Sequence, residues 1–485
     1  MPAIITNKFR IHNAEKFTTA LTGSSNVFYL GIGRPQAFTT STRPDARTDN
    51  EGSDVAPLTP ADSIQEEFYT FDDLLAAKKV TSTDISYVVP RRNWTTGTTY
   101  DYYRHDYGNR ITGTTTTQTA NSGATSLWDA TYYVVTDDYN VYKCIDNGGN
   151  SASTVKPTGT LSTIITTGDD YKWKYMYTLS ASQQVNFLST DFMAVATNST
   201  VSSAAVDGAI NNIKIKTAGS GGTNGTHASV AIRGDGSSGV CSVTIAGGAV
   251  TAVTVTAAGS GYTYGYVRVA DINSAGGGSL SGSELDCIIE PKGGHGFNAV
   301  EELGGFYIML NTNFEGTETS NSGDFTTAND FRKIALLRDP KSGGSAASAS
   351  TLRGSKAVLL TGTPGSFQVD EEINQASTGA VGKVVEYDST NKILYYIQTR
   401  FNDQGVDANG NLTAFSGANA ITGQTSSAAG TPSTSSSTVD NVAFTSGYNS
   451  GEIDADTGDV IYIENRSPIT RASDQTENVK LIIEF

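Results

Sequence analysis

Cysteine is scarce: Cys144, Cys241 and Cys287 are the three in 485 residues. An odd number so widely scattered builds no disulfide framework, and no CxxC or Cys/His spacing suggests a zinc site. A reducing compartment is the simpler expectation. Histidine is nearly as rare, and His12, His105, His227 and His295 include no pair at the spacing of a helical metal site. No GxSxG elbow offers a hydrolase nucleophile. Positive charge is also short: 33 Lys+Arg against 49 Asp+Glu give a net charge of −16, and the densest basic pair is Arg91-Arg92. Such a surface repels nucleic acid and anionic lipid. No apolar run approaches the ~18 residues that span a bilayer. The N-terminus, MPAIITNKFRIHNAEKF, lacks a charged-then-apolar leader. The reading is of a soluble chain made in a cytoplasm, with no nucleic-acid partner, no membrane insertion and no cofactor.

What is present is aromatic and turn-rich. Tyr 23, Phe 18 and Trp 3 supply the large apolar bodies in a chain only 37% hydrophobic, and Gly 51 with much Ser, Thr and Asn supplies turns. That combination is an all-β signature, because every short strand needs a turn at both ends. Strands are expected at 27–32, 85–89, 131–145 and 171–179. The last two alternate aromatic and polar residues, as a half-buried sheet does. Helices are expected at 14–21, capped by Asn13, and at 70–79, with Asp72 and Asp73 in the first turn and Lys78 and Lys79 in the last.

Two internal repeats interrupt this texture. Asp207–Gly221 recurs 40 residues on as 247–261: a turn, a period-two β-branched strand, then Gly-Ser-Gly. Farther along, Phe367, Ile373, Ser377, Ala380 and Gly382 recur 48 residues on as Phe415, Ile421, Thr425, Ala428 and Gly430. Residues 342–350 and 426–438 read as Gly/Ser/Ala- and Ser/Thr-rich linkers. The fold class expected is mainly β: a layered antiparallel β-sandwich core with short helices in loops, interrupted by two small β insertion modules. The core comprises 1–200, 286–350 and 441–485, and the insertions are 201–285 and 351–440.

Motifs that resemble chemical sites read better as turns. Gly234 to Gly239 spells GxGxxG, but a strand-like run follows where a dinucleotide site needs a helix, and Asp235-Gly236 is a hairpin signal. Gly293-Gly294-His295-Gly296 reads as a turn in which His295 satisfies backbone groups. Asp454 to Asp459 lacks the ligand spacing of a calcium loop. Glu301-Glu302 and Glu371-Glu372 are adjacent acids, which point apart in a strand and so do not face one sugar. No catalytic residue and no metal ligand emerges. Tyr262, Tyr264 and Tyr266 offer either exposed rings for sugars or core packing.

Several blocks, in order along the chain, are more specific. They are Asn7-Lys8-Phe9-Arg10, Val89-Pro90-Arg91-Arg92-Asn93-Trp94, Gly168-Asp169-Asp170-Tyr171-Lys172-Trp173-Lys174-Tyr175-Met176 and Asp330-Phe331-Arg332-Lys333-Ile334. The longest is Gly458-Asp459-Val460-Ile461-Tyr462-Ile463-Glu464-Asn465-Arg466-Ser467-Pro468-Ile469, followed by Asp474-Gln475-Thr476-Glu477. Together they resemble the baseplate wedge protein of T-even-type phages, the dimeric β-sandwich wedge subunit, over roughly 1–190, 290–340 and 445–485 but not over the insertions. The resemblance implies a non-enzymatic homodimer that bridges other baseplate wedge proteins in the virion tail, assembled in the host bacterial cytoplasm. The alternative is a host-surface glycan or tail-fibre binding module carried by the insertions. Arg91, Arg92, Trp94, Trp173, Glu464, Asn465, Arg466, Asp474 and Gln475 are the candidate interface residues. Arg and Trp are types that anchor interfaces, and the Glu-Asn-Arg run after an aliphatic strand suggests an ion-pair cluster.

Overall fold

The computed structural model describes residues 4–38, 52–110, 117–317, 324–326, 329–398, 405–468 and 476–485. The fold is mainly β, of antiparallel sandwich type, with short helices between the strands. The chain divides into two compact units, residues 1–16, 86–309 and 482–485 in one and residues 17–85 and 310–481 in the other.

The first unit is built on a four-stranded antiparallel sheet in the order Tyr133–Val135, Asn140–Asn147, Tyr171–Thr178, Ile164–Thr166. One face carries Tyr142, Cys144, Tyr171, Trp173 and Tyr175, which pack with Tyr100 and Val201. Tyr171 stacks on Trp173 with ring centroids 5.4 Å apart, and Tyr100 meets Trp173 edge-on at 5.8 Å. The other face is also covered, so the sheet is not half-buried as its alternation suggested. Lys143 and Lys174, register partners on that face, are both buried.

The first repeat forms two small sheets around one core. Gly225–Ala231, Val240–Ala246 and Ala249–Ala257 make one sheet; Arg233–Gly234, Gly265–Tyr266, Gly278–Ile288 and Asn212–Gly222 make the other. Between them lie Ile213, Val230, Val243, Ile245, Leu280 and Tyr262. The two copies clasp each other at their ends: Gly261 N donates to Asp207 O at 2.8 Å and Tyr262 N to Gly208 O at 3.0 Å. Gly208 has φ +63°, and a Cβ there would stand 2.4 Å from the Tyr262 nitrogen. Tyr262 is buried, its hydroxyl accepting from Gly239 N and donating to Ile232 O. The GxGxxG glycines line this ring and lead into a strand.

In the second unit a five-stranded antiparallel sheet runs Thr351–Arg353, Leu74–Lys79, Phe28–Gly33, Lys333–Arg338, Asp459–Asn465. The second repeat closes on itself. Ile393–Ile397, Ala380–Asp388, Glu372–Gln375, Ile421–Gly423, Ala429–Pro432 and Lys356–Thr361 follow one another, and Lys356–Thr361 pairs back to Ile393–Ile397. The result is a six-stranded barrel filled by Phe367, Ile373, Ala380, Phe415, Ile421 and Ala428, with Val358 and Leu394. Asn374 pairs with Thr422, its own counterpart in the repeat. The two hairpins are thus related by a local two-fold axis, and equivalent residues meet in the core.

Five local expectations are corrected. No helix spans 70–79: the helix is Ile64–Asp72, begun by Ser63, whose hydroxyl accepts from Glu66 N at 3.2 Å. Leu74–Lys79 follows as a strand, because pairing on both sides and burial of Leu74 to Ala77 outweigh the helix propensity of Leu, Ala and Lys. The first helix is Asn7–Thr22, so Asn13 lies inside it and caps nothing. Residues 131–145 hold two strands, not one, reversing at Tyr139 with φ +59° after Asp137-Asp138. Neither linker is a linker: Lys341–Ser342 and Ser345–Ala346 form a hairpin over Gly343-Gly344, and Ala429–Pro432 is a barrel strand.

Gly208→Ala is expected to destabilise the first unit by at least about 2 kcal/mol, since it adds a side chain at positive φ against backbone. A urea-unfolding midpoint indistinguishable from the parent would refute this account of the repeat.

Candidate interface residues and a buried ionic cluster

Strand Ile85–Pro90 ends at a proline, and the chain then turns outward to expose Arg91 and Arg92 partly. Arg91 Nη1 donates to Ser189 O and Nε to Asn93 Oδ1, both at 2.9 Å. The Arg92 guanidinium lies 4.6 Å from the Tyr133 ring centroid and donates to the carbonyls of Ala130 and Trp128. It is therefore held mainly by its own chain. Trp94 is half-buried, its Nε1 donating to Ser153 Oγ at 3.1 Å. Arg91, Trp94, Tyr139 and Leu188 line an open recess of 310 Å³. Trp173, by contrast, is fully buried within the sheet and presents no surface.

The C-terminal candidates sit at the edge of the five-stranded sheet. Glu464 accepts from Tyr462 OH at 3.0 Å, Asn465 Nδ2 donates to Leu58 O at 3.1 Å, and Arg466 lies 5.7 Å from the Phe331 ring centroid. Glu464 and Arg466 point to different neighbours, Tyr462 and Phe331. Asp474 and Gln475 lie outside the described residues.

A buried charged cluster of the first unit lies on the covered face of the four-stranded sheet. Lys143 and Lys174 stand opposite each other there, and two buried cations need anions. The segment after the first repeat supplies one to Lys143, while Lys174 Nζ donates to the Ser162 carbonyl. Lys143 Nζ meets Glu302 Oε2 at 2.7 Å, with side-chain exposures of 0% and 2%. Glu302 also accepts from Gly296 N at 2.8 Å and Asn298 N at 3.2 Å, and its backbone carbonyl accepts from Tyr132 OH. Glu290 accepts from His295 N at 2.9 Å. The His295 ring, which was expected to satisfy backbone groups, instead faces Glu290 at 3.8 Å and Glu302 at 3.9 Å and packs edge-on against Tyr103. Sequence reading missed this cluster because Glu302 was judged as a strand residue. It sits on the short helix Ala299–Leu303, which buries Glu302 and exposes Glu301.

Burial is the largest influence on Glu302 and would raise its pKa, but Lys143 and His295 together outweigh it and hold the carboxyl at about 2. Burial pushes the Lys143 and His295 pKa values down. Near neutral pH the Glu302 carboxyl is thus ionised and the His295 imidazole neutral.

Other candidates organise loops. Glu371 is buried, and its carboxylate accepts from Gln368 N at 2.6 Å, Ser426 N at 2.8 Å and Thr425 N at 3.1 Å. Asp454 accepts from Gly343 N at 3.2 Å and Gly344 N at 2.7 Å, clamping the hairpin tip. Among the described residues no group of three or more His, Cys, Asp or Glu is placed to hold a metal ion. The three cysteines are buried thiols.

The family model described as Bacteriophage T4, Gp8 matches residues 422–485. No curated protein matches the chain. The matched segment contains the 458–469 string and the Asp474-Gln475-Thr476-Glu477 block; the N-terminal and central blocks lie outside it. It supports a structural role in a phage baseplate, part of the virion tail.

Lys143→Met is expected to cost about 3–5 kcal/mol by leaving Glu302 buried and unpaired, and Lys143→Met with Glu302→Leu to recover most of it. Chemical denaturation reads both, and additive losses in the double variant would contradict the pairing. Acid acts in the same direction through two groups. His295 sits below its ordinary 6.5, so the unfolded chain binds a proton that the fold refuses as pH drops below that value. The contribution of Glu302 is full above its ordinary 4.5 and is lost as pH falls toward about 2. Glu302→Gln is expected to flatten the lower part of the stability-versus-pH curve, and His295→Phe the upper part.

Proposed function

We propose that the chain is a non-enzymatic subunit of the baseplate wedge of a contractile phage tail, acting as a homodimer that bridges neighbouring wedge proteins. The observation that carries this reading is the match of residues 422–485 to the T4 Gp8 family. It covers strand Asp459–Asn465, an integral member of the five-stranded sheet rather than an appended tail. The chemistry of the first unit agrees. Lys143, Glu302 and His295, whose pKa values are displaced, are sealed from solvent. Arg91 and Trp94 on their recess, and Glu464 to Arg466 at a sheet edge, are surfaces of the polar and aromatic kind that partners grip. Assembly takes place in the host bacterial cytoplasm, before the tail is complete.

Light scattering at a few micromolar tests the assembly state. A species of about twice 51.0 kDa, shifted toward the monomer by Arg91→Glu with Trp94→Ala, is the expected result. A stable trimer, or a monomer at every concentration, would sink the homodimer.

A further inference from the structure

One face of the first repeat module is left open by the module's own packing. Around strand Gly265–Tyr266, alternation turns Gly265 and Val267 to the core: a Cβ on Gly265 would stand 2.6 Å from Ile210 Cδ1, and Val267 is buried. Tyr264, Tyr266 and Arg268 face solvent, and the two rings are 57% and 46% exposed. Tyr264 and Tyr266 sit two residues apart, about 7 Å along the strand. Arg233 is the register partner of Tyr266 and shares its face. Both Arg233 and Arg268 fork the same carboxylate, Asp271, through Nε and Nη2 at 3.0 Å each. Two cations therefore share one anion beside Tyr266, and each guanidinium has further donors. On the opposite side of Tyr266, Asp286 is occupied by Arg104. At the Tyr264 end, the Asp235 carboxylate accepts from Thr263 N at 2.9 Å and Tyr264 N at 3.3 Å.

We propose that this face is a binding site for an acidic glycan, with sugar rings lying on Tyr264 and Tyr266 and a sugar carboxylate meeting Arg233 and Arg268. Rings with a polar edge suit the mixed apolar and hydroxyl faces of a pyranose. A planar guanidinium suits a carboxylate, and Asp235 offers an acceptor for sugar hydroxyls. A long polyanion such as nucleic acid is disfavoured by the net charge of −16 on the whole chain. The proposal is separate from baseplate assembly, which does not require it.

The test uses the full chain on an array of uronate-, sialate- and Kdo-bearing oligosaccharides beside their neutral counterparts. Binding to acid-bearing spots is expected, falling about tenfold or more in Tyr264→Ala with Tyr266→Ala, a change of about 1.4 kcal/mol, and in Arg268→Gln. These side chains are exposed, so the variants are expected to keep the parent unfolding midpoint, which is measured alongside. No retention of any acid-bearing glycan overturns the proposal. So does equal retention of the neutral counterparts, or undiminished binding by the tyrosine double variant.

Discussion

The first unit turns on the ion pair between Lys143 and Glu302. An antiparallel sheet with two lysines opposite each other on one face needs that face in water or covered by groups that accept from the ammoniums. Here it is covered. The segment from Glu290 to Leu303, where the chain leaves the first repeat, brings in the Glu290 and Glu302 carboxylates; Glu302 pairs with Lys143, while Lys174 Nζ donates to the Ser162 carbonyl. Its turn at Gly293 to Gly296 aims backbone N–H groups back at the same carboxylates. The pair thus does more than join two side chains. It fixes where the inserted module returns to the sheet, and further contacts complete the seam. Lys214 meets Asp146 at 2.6 Å, and Asn212 Nδ2 donates to Ile145 O at the same distance.

The two repeats reach closure by different means. In the first, the copies are joined end to end through Gly208 and Gly261, and a buried tyrosine fills the space that their glycines leave. In the second, equivalent hairpins meet across a two-fold axis and the ladder returns to its own beginning. Both are sheets too small to be stable alone. Each acquires a core by adding a second copy of itself, which explains why duplication was visible in the sequence at all.

How much was legible follows from which forces are local. Short strands such as Phe28–Gly33 and Tyr171–Thr178 declared themselves by composition, and the paired phenylalanines and isoleucines of the second repeat by spacing. Leu74–Lys79 did not, because Leu-Leu-Ala-Ala-Lys-Lys is helical by local measure and becomes a strand only through partners distant in sequence, Phe28–Gly33 and Thr351–Arg353. Glu302 was hidden for the same reason: its role depends on Lys143 in a distant strand, not on its neighbour Glu301. The two Ser- and Gly-rich stretches read as linkers because small residues lack side-chain pattern, yet backbone pairing needs none. Trp173, by contrast, stands in a string that could be recognised, but the string says nothing about whether a tryptophan faces inward.

The closed ladder around residues 356–432 has a consequence for crowding. An open sheet offers a row of unpaired N–H and C=O groups along each edge, and a neighbouring strand of any origin can extend it. At the local concentrations of a packed assembly, identical edges would meet constantly. A ring of strands has almost nothing for such an intruder to grip. Whatever approaches it must be recognised by side chains, which carry identity, rather than by backbone, which does not.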